Sequence, residues 1–360
     1  VSGRVGDVEL EEIIMRKVLS FVALFCFFIS SCNSNDETFS SKIYFWSDRD
    51  GQKQIYTMNP DGSNQQKISD LPDWDFSRSQ LSPNHQHLSV IRERDRNYSI
   101  FVIDLMGNVV GSSSPNFDTA DDFPDWSPDS QFIAFESSRD VPEGIYTMKY
   151  DGTEIKRLTK QSDQLSVCPV WSTDGKKIAF QFSKGPMIFD GYFMDADGSN
   201  VQRFGNSTGG TGYYCPPVSW SPDSKWVGTN GTEIIYLASV YNNRFGSIRV
   251  VSPDLGYSTN IPPVWSPDGK RLLFVIDTHE PTHHNRDEIY IVGIDGTMLM
   301  NLTNNDSAND TNPMWSPDGQ FIIFESNRDG DYEVYRMKAD GSELMQLTDN
   351  STNDKAIDWK

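Results

Sequence analysis

The sequence predicts an all-β protein: a β-propeller of seven four-stranded blades, closed into a ring by its C-terminal strand. Three observations predict it. Short apolar runs alternate with turns throughout residues 42–360. One pentapeptide, WSPDG, recurs in full or in part. Its recurrences keep a nearly fixed period. The 360 residues include 26 Gly and 19 Pro, and helical periodicity is sparse. Turn formers set among short apolar runs point to many strands rather than helices.

WSPDG occurs at 265–269 and 315–319, with near-copies beginning at Trp126, Trp171 and Trp220. With Leu81 and Trp359 added, the anchors are spaced by 45, 45, 49, 45, 50 and 44 residues. A repeat in the range of roughly 20–50 residues marks a solenoid or a propeller. Each unit has the same internal order, shown by "PMWSPDGQFIIFESNRDGDYEVYRMKADGSELMQLT" (313–348). "PMW" ends a first strand. "SPDG" is a tight turn, with Pro setting φ and Gly supplying the left-handed conformation. "QFIIFES" is a second strand, "NRDGD" a turn and "YEVYRMKA" a third strand with alternating apolar positions. "DG" closes a hairpin onto the short fourth strand "ELMQLT". Four antiparallel strands make one blade. The Trp is expected to pack between blades and the Asp to hydrogen-bond within its turn. The Arg–Asp pairs of "SDRDG" (47–51) and "SNRDG" (326–330) are expected to staple loops rather than bind ligands.

Third-strand and hairpin segments appear at 54–62, 99–107, 144–152, 191–198, 247–256, 288–296 and 333–341. Seven blades are therefore favoured over six or eight. The first unit lacks its own Trp strand, and the final "KAIDWK" is such a strand with nothing after it. Joining the two closes the ring and removes the free edges.

The N-terminal region is distinct. Arg16 and Lys17 precede an apolar run at 18–29, too short to span a bilayer, which takes about 20 residues. "ISSC" then resembles a bacterial lipobox, with Cys32 as the lipidated residue. The expected organisation is an over-extended N-terminus at 1–14, a lipoprotein signal peptide at 15–31, a flexible tether at 32–41 and the propeller at 42–360. Of four cysteines, Cys26 falls in the signal and Cys32 carries lipid, which leaves Cys168 and Cys215 as a candidate disulfide in an oxidising compartment.

The pattern "DxxPxWSPDGxxIxFxSxRDGxxxIYxMxxDGxxxxxLT" resembles the repeat of the TolB-type propellers. Residues 310–348 match it almost throughout, 126–159 and 265–303 match well, and 43–69 match its second half. The resemblance implies the fold. It leaves the function open among envelope interaction proteins, propellers attached to hydrolases and surface lipoproteins. TolB itself carries an α/β domain before a six-bladed ring, so a direct role in the Tol–Pal system is not implied.

Candidate sites are few. "GNSTG" (205–209) fits a nucleophile-elbow pattern but stands in a loop between blades, without the strand and helix an elbow needs. His279, His283 and His284 stand near Asp277, Glu280, Asp287 and Glu288, and could hold a divalent metal. Five residues before each anchor stand Phe76, Asp121, Ser166, Cys215, Asn260, Asp310 and Asp354, which should circle one mouth of the channel. Asp121, Asp310 and Asp354, with Trp74 and Asp122 nearby, form a candidate acidic site for a cation or a Lys/Arg-rich peptide. Residues 228–246 are irregular and could form an extra hairpin on the fifth blade. A net charge of −20 disfavours nucleic acid and anionic lipid as partners. The expected function is a monomeric, lipid-anchored module of the bacterial envelope, periplasmic or surface-exposed. It would bind an envelope protein, peptide or glycan without a cofactor. The alternative is a carbohydrate-active enzyme, a metal-assisted polysaccharide lyase on a propeller scaffold.

Overall fold

The repeated turn folds the same way each time it occurs. The Ser hydroxyl donates to the Asp carboxylate at 2.6–2.7 Å, as in Ser127–Asp129, Ser172–Asp174, Ser221–Asp223, Ser266–Asp268 and Ser316–Asp318. The same carboxylate accepts the N–H two residues on, and the Ser oxygen accepts the N–H that opens the next strand. The turn requires a left-handed residue. Gly319 has φ 68°, whereas Ser130 and Ser224 reach φ 61° and 57° without that freedom.

The computed structural model describes residues 41–71, 79–160, 165–185, 188–204, 218–230, 235–240, 249–250, 257–258, 261–277, 287–305 and 307–360. Among these there is no helix, and the strands form seven small antiparallel sheets in a ring. From the channel outward, blade three is Asp121–Trp126, Phe132–Ser137, Gly144–Lys149 and Lys156–Arg157. Blade seven repeats it with Asp310–Trp315, Phe321–Ser326, Glu333–Lys338 and Met345–Gln346. Blades two and four follow the same order, from Gln80–Leu81 to Val109–Ser112 and from Ser166–Trp171 to Gln202–Arg203.

Blade one is made from both ends of the chain. Its inner strand is Asp354–Trp359, paired antiparallel with Ile43–Ser47, and Gln54–Met58 and Gln66–Lys67 complete it. The C-terminal strand thus closes the ring, as the orphan "KAIDWK" implied.

Blades five and six depart from the regular order. The third strand of blade five is Ile235–Ser239, paired with Trp226–Asn230, and Arg249–Val250 is the fourth. The sequence expectation had placed that third strand at 247–256. Arg249–Val250 instead sits one position further out, and the segment read as a possible extra hairpin supplies blade strands. Parts of that segment, 231–234 and 241–246, lie outside the described residues. In blade six the inner strand is interrupted. Tyr257–Ser258 and Val264–Trp265 both pair with Arg271–Asp277, separated by a stretch containing Pro262 and Pro263, which cannot donate to a ladder.

The core lies in slices between neighbouring blades. Each blade offers alternate side chains to the blade before and the blade after, because successive residues of a strand face opposite ways. Leu273, Val275 and Ile289 of blade six pack on Trp315, Phe324 and Met337 of blade seven. Ile323 and Val334 of blade seven pack on Ile43, Phe45 and Trp359 of blade one. The anchor Trp also hydrogen-bonds across the slice. The indole N–H groups of Trp126, Trp220, Trp265 and Trp315 donate to carbonyls on the preceding inner strand, at Gln80, Val170, Ser219 and Val264, over 3.1–3.3 Å.

Deleting residues 355–360 removes Trp359 from the slice between blades seven and one and opens the edge of Ile43–Ser47. Truncating a buried Trp alone costs about 3–5 kcal/mol. The truncated protein is expected to aggregate, or to melt lower by on the order of 10 °C. Scanning calorimetry at matched concentration checks this, and an unmoved transition would mean the ring closes without that strand.

Candidate functional site

The inner strands enclose a central channel with a cavity of about 970 Å³, lined chiefly by blades one, two, three and seven. Each strand presents to it an edge with no neighbouring strand, so a proline there costs no ladder hydrogen bond. The strands exploit this at a bulge. Phe123, Cys168 and Asn312, each followed by Pro, take φ 51°, 56° and 49°, and the strand register shifts at each.

At the Asn312 bulge the side-chain amide donates to Glu325 at 2.7 Å and to the Ala356 carbonyl at 3.1 Å. Burial raises the Glu325 pKa to about 7, against the Asn312 bond, the Lys355 charge and the Ala356 N–H. Glu136 holds the equivalent position in blade three. Burial raises its pKa to about 8, with Glu143 and Asp122 adding to the rise and the Cys168 N–H opposing it. These two glutamates therefore bridge to the backbone of the next blade's inner strand, one at Ala356 and one at Cys168.

Asp125 and Asp358 occupy a second ring, one residue before the anchor. Asp125 accepts the N–H of Trp171 in the next blade at 2.6 Å, and burial lifts its pKa to about 7. Burial also works to raise the Asp358 pKa, but His85 at 3.1 Å and Lys360 at 3.3 Å outweigh it, and the pKa is lowered. Trp46, Asn353 and Lys355 also reach the cavity. None of Asp125, Glu136, Glu325 and Asp358 was singled out from the sequence. The signal was available, since "FES" stands ten residues after Trp126 and again after Trp315.

The predicted acidic mouth is arranged differently from the expectation. Asp121, Asp310 and Asp354 do begin inner strands, but all three are fully buried. Each pairs with an arginine of the turn between second and third strands: Asp121 with Arg139 at 2.9 Å, Asp310 with Arg328 at 2.9 Å and Asp354 with Arg49 at 2.5 Å. The guanidinium also takes a bond from its Nε to the Ser two residues back, at 2.8–2.9 Å. It lies over two aromatic rings, Phe324 and Tyr335 in the case of Arg328. These acids are held in staples by the arginines of the RD motifs, while the motif's own Asp bonds elsewhere, as Asp50 does to Tyr56, and they present no open carboxylate. Ser166 begins the blade-four strand and is likewise buried. Asp122 is half-buried in the channel wall, opposite Glu136. Cys168 is disulfide-bonded. Trp74, Cys215, Cys32, His279, His283, His284 and "GNSTG" all lie outside the described residues. Among the described residues no three His, Cys, Asp or Glu side chains are grouped to hold a metal.

The raised carboxyl pKa values fix the sign of a pH effect. A carboxyl that stays protonated in the folded chain up to about pH 7–8, but ionises at its ordinary value in the unfolded chain, leaves the folded state with more bound protons in between. Stability contributed by Glu136 and Glu325 is therefore full below about pH 4.5 and falls as pH rises to about 8. The melting temperature is expected to decline between about pH 5 and pH 8, and the paired Glu136→Gln and Glu325→Gln variant to flatten that decline. A variant with the wild-type slope would contradict the assignment.

Comparisons with known proteins give the following. Residues 80–230 and 187–359 match the family profile of the TolB beta propeller domain. An uncharacterised protein of Agrobacterium fabrum, Atu1656, is 28% identical, over 38% of this chain and 59% of its own length. TolB from Acinetobacter baumannii superimposes with a TM-score of 0.49 at 19% identity, covering 73% of this chain and 63% of that one. An oligogalacturonate lyase from Vibrio parahaemolyticus superimposes with a TM-score of 0.59 at 14% identity, covering 82% and 85%. That likeness concerns the fold alone.

Proposed function

This chain belongs to the TolB β-propeller family, and from that membership we propose that it is a binding module of the bacterial envelope whose ligand enters the central channel. The observation that carries the reading is the channel itself. A cavity of about 970 Å³ suits a short extended segment of a partner or a small glycan. Trp46 offers an apolar face, while Asn353 and Lys355 offer hydrogen bonds. Asp125 and Glu325 sit poised near neutrality, so a cationic group on the ligand would draw them into the ionised form. The ligand favoured by this arrangement is a peptide segment of an envelope protein that carries Lys or Arg.

Calorimetric titration with short lysine-containing peptides tests this. Binding is expected to tighten from about pH 6 to pH 8 as the acids ionise. Asp125→Asn is expected to weaken it by on the order of tenfold, about 1.4 kcal/mol. Absence of heat with such peptides, or binding unaffected by Asp125→Asn, would remove the proposal. The competing reading is a lyase, suggested by the fold shared with oligogalacturonate lyases, one of them in complex with manganese. It would rest on His279, His283 and His284. Formation of an unsaturated product from oligogalacturonate with added manganese, lost in His283→Ala, would replace the binding reading.

The envelope location rests on Cys32. "ISSC" after an apolar run preceded by Arg16 and Lys17 has the order of a lipoprotein signal. Radiolabelled palmitate is expected to be incorporated by the wild type in a bacterial host and lost in Cys32→Ala. Retention of label in that variant would exclude Cys32 as the lipid site.

A further inference from the structure

The WSPDG turns and the hairpins between third and fourth strands lie on one face of the ring. The first residue after a third strand, Tyr150, Ala196, Val240, Ile294 or Ala339, donates its N–H to the carbonyl of the residue that follows the WSPDG turn of the same blade. The chain joins the ring on this face too. Lys360, just after the closing strand, donates its backbone N–H to the Lys42 carbonyl at 2.9 Å, so the described chain begins on this face.

This face carries most of the exposed apolar surface. Ten large apolar side chains are exposed among the described residues, and eight of them are on these hairpins and fourth strands. They include Met106 and Val109 in blade two, Ile155 in blade three, Val201 in blade four, Met298 in blade six and Leu344 in blade seven. Met298 is 72% exposed and Met106 64%. The tips are not loose. The hairpin glycines Gly152, Gly198 and Gly341 lie against backbone of the preceding blade, where an added Cβ would meet Ser112, Leu158 and Leu302 atoms at 2.7–3.3 Å. The hairpins form a packed belt, and the apolar side chains ring its outer margin. Acids in the same hairpins are bonded locally, as in Asp151 with Thr153 and Asp340 with Ser342. Lys42, Lys156, Lys225, Lys270 and Lys360 intersperse them. Apolar tips among charges of both signs suit the interfacial layer of a bilayer better than a hydrocarbon interior.

We propose that this face lies on the headgroup layer of the membrane, with Met106, Val109, Ile155, Val201, Met298 and Leu344 dipping into it. The proposal rests on the lipid at Cys32. Eight residues stand between Cys32 and Ser41, a length of at most about 30 Å when extended. A lipid on so short a lead keeps the face where the chain joins the ring next to the bilayer. The opposite mouth of the channel, on the side of the Arg–Asp staples, then points away from the membrane.

The test uses lipidated full-length protein in vesicles of the zwitterionic lipids phosphatidylethanolamine and phosphatidylcholine containing a spin-labelled lipid as quencher. A fluorophore is attached at Val109→Cys, Met298→Cys or Leu344→Cys. The control is Val141→Cys, on a turn of the opposite face and 86% exposed. Labels on the belt are expected to be quenched several-fold more than the label at 141. Combining Met298→Glu with Leu344→Glu is expected to abolish quenching at 109 while the protein still floats with the vesicles. Flotation with equal quenching at all positions would overturn the facing alone. Failure of the lipidated protein to float would overturn the anchor and the facing together.

Discussion

A buried carboxylate at the head of an inner strand, closed by an arginine from the turn beyond the second strand, is the interaction on which the ring depends. In blade one it joins Asp354 to Arg49, residues from opposite ends of the chain. An unpaired ion in that position would cost several kcal/mol. The strand that carries Asp354 is therefore held both by its ladder to Ile43–Ser47 and by a carboxylate bonded to Arg49 and to the Asn350 amide. The guanidinium brings more than charge. Its Nε bond to Ser47 and its place over Phe45 and Tyr56 fix its plane, so one fork orders the strand, the turn and the third strand together. Blades three and seven repeat the device with Arg139 and Arg328, and the repetition explains why the RD turn recurs in the sequence.

The blade grammar was legible because its causes are local. Ser and Asp in WSPDG bond within five residues, and the left-handed residue of that turn is chosen by its own backbone. Closure by "KAIDWK" was legible for a different reason: a fixed period leaves a half-unit at each end. Where the local signal failed, the reading failed with it. Blade five has no Asp-Gly hairpin after Ile235–Ser239, so the turn-like "SPDLG" further on drew the third strand to 247–256. The fate of Asp121, Asp310 and Asp354 was harder to read. The offset to the arginine is constant in blades three and seven, at 18 residues, but ring closure breaks it in blade one. Position alone placed these acids at a mouth, and only the side-chain direction shows that they turn away from it.

Most of the negative charge is committed to structure in the same manner. The turn aspartates bond to serines and backbone N–H groups, and these bonds lower the pKa values of Asp174, Asp223 and Asp268 against the opposing effect of burial. The acids left to act on a ligand are those that burial holds near neutrality inside the channel. A net charge of −20 therefore says little about the site. Asp125 and Glu325 matter through their surroundings rather than their number.

The repeats also show where a function can reside. Positions that build the frame are nearly invariant from blade to blade, because each must satisfy the same turn, the same slice or the same staple. The residue just before the anchor varies more, although Asp125 and Ser219 each bond the next blade there. It is Gln80, Asp125, Val170, Ser219, Val264, Met314 and Asp358 around the ring. None of these is fully buried. Acids and an amide occupy blades one to three, whereas blades four, six and seven carry Val170, Val264 and Met314, each packed against a slice between blades, with Met314 also reaching the cavity. The ligand proposed for this channel would meet a polar, acidic side and, at Met314, an apolar one, which would favour one orientation over rotation about the axis. A segment with a basic group on one edge and an apolar side chain on the other matches both walls, which a uniformly charged polymer does not.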